Sequence, residues 1–269
     1  MILSEIYIYP IKSLGGIKLS EAVVEERGLQ HDRRWLLIDA DNQFLTQRSH
    51  HDMALIDVQV VENGLKVWHR QKPELGVLEV PLKPQTNEVL EVTVWDDTME
   101  AIVVNQASND WFSKALEAEI RLVFMLNNSF RPADSRYAPF ENQVSFADGF
   151  PYLVIGQASL DDLNSKLETT VSINRFRPNF VVEGSLPFEE EGWADFKMGN
   201  LDFLGVKPCA RCVMTTIDPQ TAAKGKEPLL TLATYRKRNN KIYFGQNVLA
   251  KTYGILKVGD EVRVLNSGK

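Results

Sequence analysis

Cys209 and Cys212 are the only cysteines in the 269-residue chain and stand in the run Lys207-Pro-Cys-Ala-Arg-Cys-Val-Met-Thr-Thr-Ile-Asp218. Cys-x-x-Cys spacing admits a redox dithiol, half of a zinc site, or two small core residues. A redox dithiol needs its first thiol at a helix N-terminus within a βαβ pattern. Here Val213 to Ile217 follow, and their β-branched character predicts a strand. A structural zinc site needs four ligands, yet there is no second cysteine pair, only His31, His50, His51 and His69. A thiol that merely fills the core stays open, above all for Cys209. Cys212 is set apart by its company: Arg211 beside it, Pro208 stiffening the approach, and distant runs that present cations without matching acids.

The first of these runs, Tyr9-Pro-Ile-Lys-Ser13 with Gly15-Gly16 behind it, reads as a strand ending in a turn. Its backbone, Lys12 and the Ser13 hydroxyl can hold a phosphate. The second, Gly28-Leu-Gln-His-Asp-Arg-Arg-Trp35, places Arg33 and Arg34 at the start of a strand, where neighbours face opposite sides. In the third, Asn174-Arg-Phe-Arg-Pro-Asn179, the proline fixes a turn, and Arg177 and Asn179 offer planar, multi-donor recognition of a phosphate or a pterin ring. Each alone has an ordinary explanation, a surface arginine or a loop-fixing polar network. Together they predict an anion cradle around Cys212.

Short β-branched runs must position these residues. Strands are predicted around Ile2, Ile6 and Ile8, then Ala22–Val24, Trp35–Ile38, Ala54–Val60, Leu65–Trp68, Phe180–Val182, Leu201–Leu204, Val213–Ile217, Ile242–Phe244 and Glu261–Leu265. Asn63-Gly64 reads as a hairpin turn and Asp39-Ala-Asp-Asn42 as another. Helices are few: Ser108–Glu117 with a Ser cap, Ser159–Glu168 with a core stripe of Leu160, Leu163 and Leu167, and a short one starting at Pro228. Asn127 to Gln143 reads as a loop or an interdomain crossing. The fold class is mainly β (α+β) with a few short helices: the first hundred residues suggest a barrel or sandwich, the second half is also mainly β, and the length fits one large domain or two joined ones.

With 44% apolar and 25% charged residues the chain can bury a sizeable core. Its first residues lack a basic, apolar leader, no segment approaches the ~20 apolar residues of a membrane span, and two cysteines make no disulfide framework. A cytoplasmic protein is expected. A net charge of −6 disfavours non-specific attraction to nucleic acid or anionic lipid, so a polyanionic ligand must meet a local basic cluster.

In this order the runs resemble the MOSC family, in its form with a MOSC N-terminal β-barrel domain followed by a MOSC domain. The matching pieces are Tyr9-Pro-Ile-Lys-Ser13, His31-Asp-Arg33, Phe146-Ala-Asp148, Ala158-Ser-Leu160 with Asp162-Leu-Asn164, Phe176-Arg-Pro-Asn179, Cys209-Ala-Arg-Cys212 with Thr215-Thr216, Lys226-Glu-Pro228 with Leu232, Phe244-Gly245 and Val258-Gly-Asp260. They span nearly the whole chain. The likeness is to the YcbX-like reductases of N-hydroxylated compounds and the mitochondrial amidoxime-reducing components, and it implies a β-barrel-like MOSC N-terminal domain at 1-120 followed by a MOSC β-barrel domain at 121-269.

That resemblance implies a molybdenum-cofactor-dependent oxidoreductase that reduces amidoximes, hydroxylamines and N-hydroxylated base analogues, in a detoxifying role. It implies a molybdopterin-type cofactor between two β-rich domains, with Cys212 as the molybdenum ligand. Lys12, Ser13, Arg33, Arg177, Ala210 and Arg211 match cofactor-contacting positions, and Asn179, Gln246 and Asn247 are added to them. Gly149 and Phe150 would contact the cofactor through backbone amides, and Asp148 would line the substrate pocket as a catalytic residue. Pyridoxal phosphate is a further ligand the family admits. The YcbX-like proteins often add a C-terminal four-cysteine iron–sulfur domain, which this sequence lacks. No iron–sulfur cluster is therefore expected in this chain, and a separate iron–sulfur or haem protein with a flavin reductase is expected to supply electrons to a small N-oxygenated substrate. The rival reading is a sulfur carrier or cofactor-binding module with a persulfide on Cys212.

Overall fold

A computed structural model describes residues 1–138 and 141–268. The chain is mainly β, as its short apolar runs predict. The largest sheet has nine strands, in spatial order Val262–Ser267, Trp193–Met198, Leu201–Arg211, Lys241–Ala250, Tyr152–Gly156, Phe180–Glu183, Ile2–Ile8 and Ile17–Leu19, with the short Lys237–Arg238 strand also paired to Lys241–Ala250. Its one parallel pair, Tyr152–Gly156 with Phe180–Glu183, is joined through the helix Gln157–Asn164, as a parallel crossover requires. A second sheet runs Trp35–Ile38, Arg121–Met125, Asp97–Val103 and Val89–Val94. Two three-stranded sheets complete the fold.

Strands from distant parts of the chain interleave, and this builds the site. Ile2–Ile8 pairs with Phe180–Glu183, Ile6 opposite Phe180, so Tyr9–Ser13 emerges beside Arg177. Trp35–Ile38 pairs with Arg121–Met125, Trp35 opposite Phe124. Two aromatic-rich cores brace the sheets. Phe196 and Phe203 stack at 5.6 Å beside Tyr152 and Phe180, and Trp35 lies 5.0 Å from Phe124. Burying such rings contributes about 2–3 kcal/mol each.

Several predicted boundaries move. The residues after Cys212 form no strand: Leu201–Arg211 ends before it and Val213–Thr216 is a 3-10 turn. The two threonines cause this. Thr215 Oγ1 donates to the Cys212 carbonyl (3.0 Å) and Thr216 Oγ1 to that of Val213 (2.7 Å), local bonds that replace a ladder. The Ala54–Val60 strand begins only at Ile56, because Ala54 and Leu55 belong to the 3-10 turn His51–Leu55.

The first helix is Gln106–Leu116, capped by Asn105, whose side chain accepts the Ser108 amide, and not by Ser108 itself. The second is Gln157–Asn164. It stops short of Glu168 because the Asn164 side chain turns to bond both the N–H and the C=O of Val171. Its predicted leucine stripe packs into the core. The third, Leu229–Tyr235, follows Pro228 as expected. Glu62-Asn63 makes the predicted hairpin turn, and Gly64 already lies in the strand, where a Cβ would fall 2.2 Å from the Val80 carbonyl oxygen. Pro139 and Phe140 of the predicted 127–143 loop lie outside the described residues.

Ser159, where the second helix is expected to start, is fully buried inside the helix with its hydroxyl on both oxygens of Glu190 at 2.9 Å. Burial pushes the Glu190 carboxyl up to about 7, against hydrogen bonds from its own amide, Ser159 and Gly156. Its folded value thus lies above its unfolded one. The stability it contributes is whole below about pH 4.5 and is lost as pH rises through about 7. Glu190→Gln should flatten that window, worth on the order of 3 kcal/mol between pH 4.5 and 8. Denaturant melts of both proteins at the two pH values check this, and an unchanged difference in the variant refutes it.

Candidate functional site

The site is built outward from Tyr9. Its backbone N–H donates to Asp32 (2.7 Å), Lys12 N–H to the Trp35 carbonyl and Trp35 N–H to that of Pro10, zipping residues 9–12 against 32–35. Asp32, 1% exposed, also accepts from Arg33 (2.6 Å) and the Asn179 amide (3.1 Å). The Tyr9 ring is clasped between two guanidinium groups, Arg33 at 4.2 Å and Arg177 at 4.1 Å. Burial pushes its phenol up to about 12, so it stays neutral. Gly16 serves this ring: a Cβ there would lie 2.4 Å from it. The Gly15-Gly16 turn is therefore a packing device for Tyr9 before it is a phosphate loop.

Ser13, Arg33 and Arg177 all adopt left-handed backbone conformations (φ 68°, 50° and 53°). For non-glycine residues this is uncommon, and such conformations cluster at binding sites. Arg177 also donates to the Leu14 carbonyl at 2.7 Å. Its burial brings its pKa down to about 10, still well above neutrality. Arg34, as its alternation with Arg33 predicts, turns away and bonds Met125 and Asn127.

On the opposite wall Lys12, 5% exposed, donates to the Phe146 carbonyl (2.6 Å) and Asp148 (2.7 Å). Burial lowers its pKa to about 8, partly offset by Asp148. Burial pushes the Asp148 carboxyl the other way, but the Lys12 and Arg48 charges and hydrogen bonds from Lys12 and Trp95 outweigh it and hold the group well below the usual carboxylate range. The Asp148 side chain is 61% exposed at the cleft mouth, where solvent weakens both the burial and the ion pairs, and the pairs with Lys12 and Arg48 prevail. Arg131, 2% exposed, clamps the loop beneath by donating to the carbonyls of Ser145 and Asp148 and pairing with Asp97.

Cys212 lies where the two walls meet. Its sulfur accepts from Arg48 Nε at 3.4 Å; Arg48 also reaches toward Asp148 (3.7 Å) and lies over the Trp95 ring at 4.5 Å. Cys209, still on the strand, packs against the core and accepts from Arg211 at 3.0 Å. The two thiols are free and engage different arginines. Among the described residues no three of His, Cys, Asp and Glu converge as a metal cluster, so the zinc reading has no geometry behind it.

The cleft is open to solvent and holds a cavity of about 120 Å³. Lys12, Ser13, Arg33, Asp148, Gly149, Phe150, Arg177, Asn179, Ala210, Arg211, Cys212 and Asn247 all line it, together with Arg48 and Arg175. Gln246 does not: it is 3% exposed behind the wall, opposite Pro208 in the sheet. Asn179 lines the cleft with its amide already committed, both N–H bonds going to Tyr7 and Asp32 and its oxygen to the Leu153 N–H. The planar recognition foreseen for it therefore falls to Arg177.

Six cations face the cleft against one acid, Asp148. Two buried donors, Arg177 Nη2 and Arg211 Nε, have no partner among the described residues. Unpaired guanidinium nitrogens in a wall are costly unless a ligand meets them. Together with two cysteine sulfurs on the cleft wall, of which Cys212 faces Arg48 and Cys209 faces Arg211, they fit an anionic cofactor with a thiolate-ligated metal. Sequence reasoning missed Arg48, Asp32, Trp95 and Arg131. Asp32 sat inside a matched run, but Arg48 stands in Thr46-Gln-Arg-Ser49, where neither spacing nor charge signals a role.

Residues 1–119 match the MOSC N-terminal beta barrel domain and residues 141–263 the MOSC domain. Mitochondrial amidoxime-reducing component 1 of Mus musculus is 32% identical over 97% of this chain and 82% of its own length. The Homo sapiens protein of that name gives the same figures, and mitochondrial amidoxime reducing component 2 of Bos taurus is 33% identical over 96% and 82%. These relatives are named as mitochondrial, which lends nothing to the cytoplasmic expectation. Among the described residues no helix is long and apolar enough to cross a membrane. With both domains matched in order and a third of its residues shared across nearly its full length, the chain belongs to the family of MOSC proteins that includes the mitochondrial amidoxime-reducing components.

Proposed function

We propose that this chain is a reductase of N-hydroxylated compounds that works with a molybdopterin-type molybdenum cofactor seated in the cleft and ligated by the Cys212 sulfur. The observation that carries the reading is the meeting of the Cys212 sulfur, on Arg48, with six cations and two guanidinium donors unpaired among the described residues in a single cleft that Cys209 also lines. Arg33, Arg177 and Arg211 hold the anionic end of the cofactor, and Arg48 faces the sulfur. When bound, the cofactor supplies the two-electron chemistry that cleaves the N–O bond. The balance is R–NHOH plus two electrons and two protons giving R–NH2 plus water, and a separate electron-transfer protein brings the electrons.

The chain's own part is orientation and proton supply. Asp148 stays ionised at neutral pH, so it cannot give a proton; it holds Lys12 and accepts an N–H of the substrate. Lys12 Nζ, a donor with a pKa near 8, holds the proton that leaves with water. Activity should therefore be sustained near neutrality and fall as pH rises through about 8, the deprotonated amine having nothing to donate. A rate profile flat from pH 7 to 9.5 would remove Lys12 from this role.

The reading as a whole is tested by elemental analysis and pterin fluorescence of protein from a cofactor-competent host. Stoichiometric molybdenum with pterin is expected. Pterin-free protein carrying a persulfide on Cys212 would overturn the reading in favour of a sulfur carrier.

A further inference from the structure

Residues 219–243 carry six basic side chains, Lys224, Lys226, Arg236, Lys237, Arg238 and Lys241, against a single acid, Glu227, in a chain whose net charge is −6. Arg236 and Arg238 share the one carboxylate of Glu191, so they leave positive charge in excess. Lys224, Lys226, Lys237 and Lys241 are exposed and form no ion pair among the described residues. Two exposed apolar side chains, Val213 (45%) and Leu230 (57%), lie on the turn Val213–Thr216 and the helix Leu229–Tyr235, which pack together, the helix also meeting the Lys237–Arg238 strand. An apolar centre inside a charged rim is the anatomy of a transient protein interface.

The patch is tied to Cys212 through the backbone. Val213 follows it directly. Gly225 N–H donates to the Thr216 carbonyl at 2.9 Å, and Lys224 bridges Ile217, so this loop lies on the turn that begins at Cys212. On the other side Arg211 pairs with Ile242, and Ile242 with Lys237, so the Lys237–Lys241 hairpin extends from the strand end that carries the cysteine run. The basic groups of the cleft point inward to ligands and these point outward. Nothing in the cofactor cradle uses them.

We infer that this basic face docks an acidic electron-carrier protein, which delivers the two electrons of each turnover one at a time beside Cys212. The inference rests on the reductase reading, because that reaction consumes electrons the chain does not itself hold. A field of one sign around an electron entry point steers an oppositely charged carrier and makes its binding sensitive to salt.

The experiment uses the cofactor-loaded full chain and an acidic [2Fe–2S] ferredoxin as probe. Its binding is read by calorimetric titration, and turnover is driven either by the reduced ferredoxin or by reduced benzyl viologen, a small cation. The Lys237→Glu/Lys241→Glu double variant should weaken ferredoxin binding at least about tenfold at low ionic strength, raise the KM for the carrier with kcat unchanged, and leave viologen-driven turnover intact. Lys66→Glu, exposed on the hairpin of residues 56–69, should change none of these. Ferredoxin binding by wild type that is absent, insensitive to salt or unaffected by the double charge reversal overturns the docking surface, as does selective binding of duplex DNA in its place. A wild type that binds ferredoxin in the expected way but reduces no N-hydroxylated compound even with viologen refutes the reductase reading and leaves the docking surface supported by its affinity.

Discussion

If Cys212 ligates the metal as proposed, replacing it by alanine is expected to lower reduction of a benzamidoxime substrate by more than about a thousandfold, because the other cleft thiol, Cys209, packs against the core and is held by Arg211. The fold should survive. Cys212 is half-buried with an extended backbone, its carbonyl bonds to Thr215 do not involve the side chain, and among the described residues its sulfur hydrogen-bonds only Arg48. A stability change within about 0.5 kcal/mol follows from that exposure. Cys212→Ser keeps the size but offers a harder oxygen ligand, so it should be nearly as inactive. Cys209→Ala loses only an arginine contact and some packing and should retain most of the rate. Steady-state kinetics with matched thermal melts decide this: wild-type-like turnover by Cys212→Ala ends the assignment, and equal losses at the two positions would restore the dithiol reading.

Asp32→Ala should act through the whole cradle at once. This carboxylate joins the Tyr9 amide, Arg33 and the Asn179 side chain in an interior that is 1% exposed. Its removal strands a largely buried guanidinium and two amide donors, and breaking a buried pair on one side costs about 3–5 kcal/mol. At roughly 2–4 °C per kcal/mol for a chain of this size, the melting temperature should drop by about 10 °C. Arg33 would lose the partner that aligns it on Tyr9, so molybdenum content should fall too. Asp32→Asn retains the shape and one acceptor oxygen and should lose less of both. If Asp32→Ala melts and loads as wild type does, the pillar at Tyr9 is not what holds the cradle together.

Much of this molecule can be read from its residues alone. Short apolar, β-branched runs mark strands around Ile2–Ile8, Trp35–Ile38 and Phe180–Val182 and, two residues early, at Ala54–Val60, and the three helices announce themselves by periodicity and by Pro228, because these signals depend on neighbours within a few positions. Cationic runs separated by more than a hundred residues point to a shared anion, since unpaired charge needs a ligand wherever the chain puts it. The ordered motifs add the family.

What tertiary structure decided lies in long-range pairing. The register of Ile6 against Phe180 and the pairing of residues 9–12 with 32–35 bring Lys12, Arg33 and Arg177 together. Arg48 and Asp148 acquire their roles by being packed against Cys212 and Lys12 from remote segments. The turn after Cys212 was settled by two threonine hydroxyls that out-competed β propensity. Gln246, polar and adjacent to a lining residue, was turned into the wall by strand alternation. Sequence by itself determined which side chains were available for chemistry. Which of them meet, and which are consumed in holding the others, depended on strand register and on burial, properties that no local stretch of residues carries.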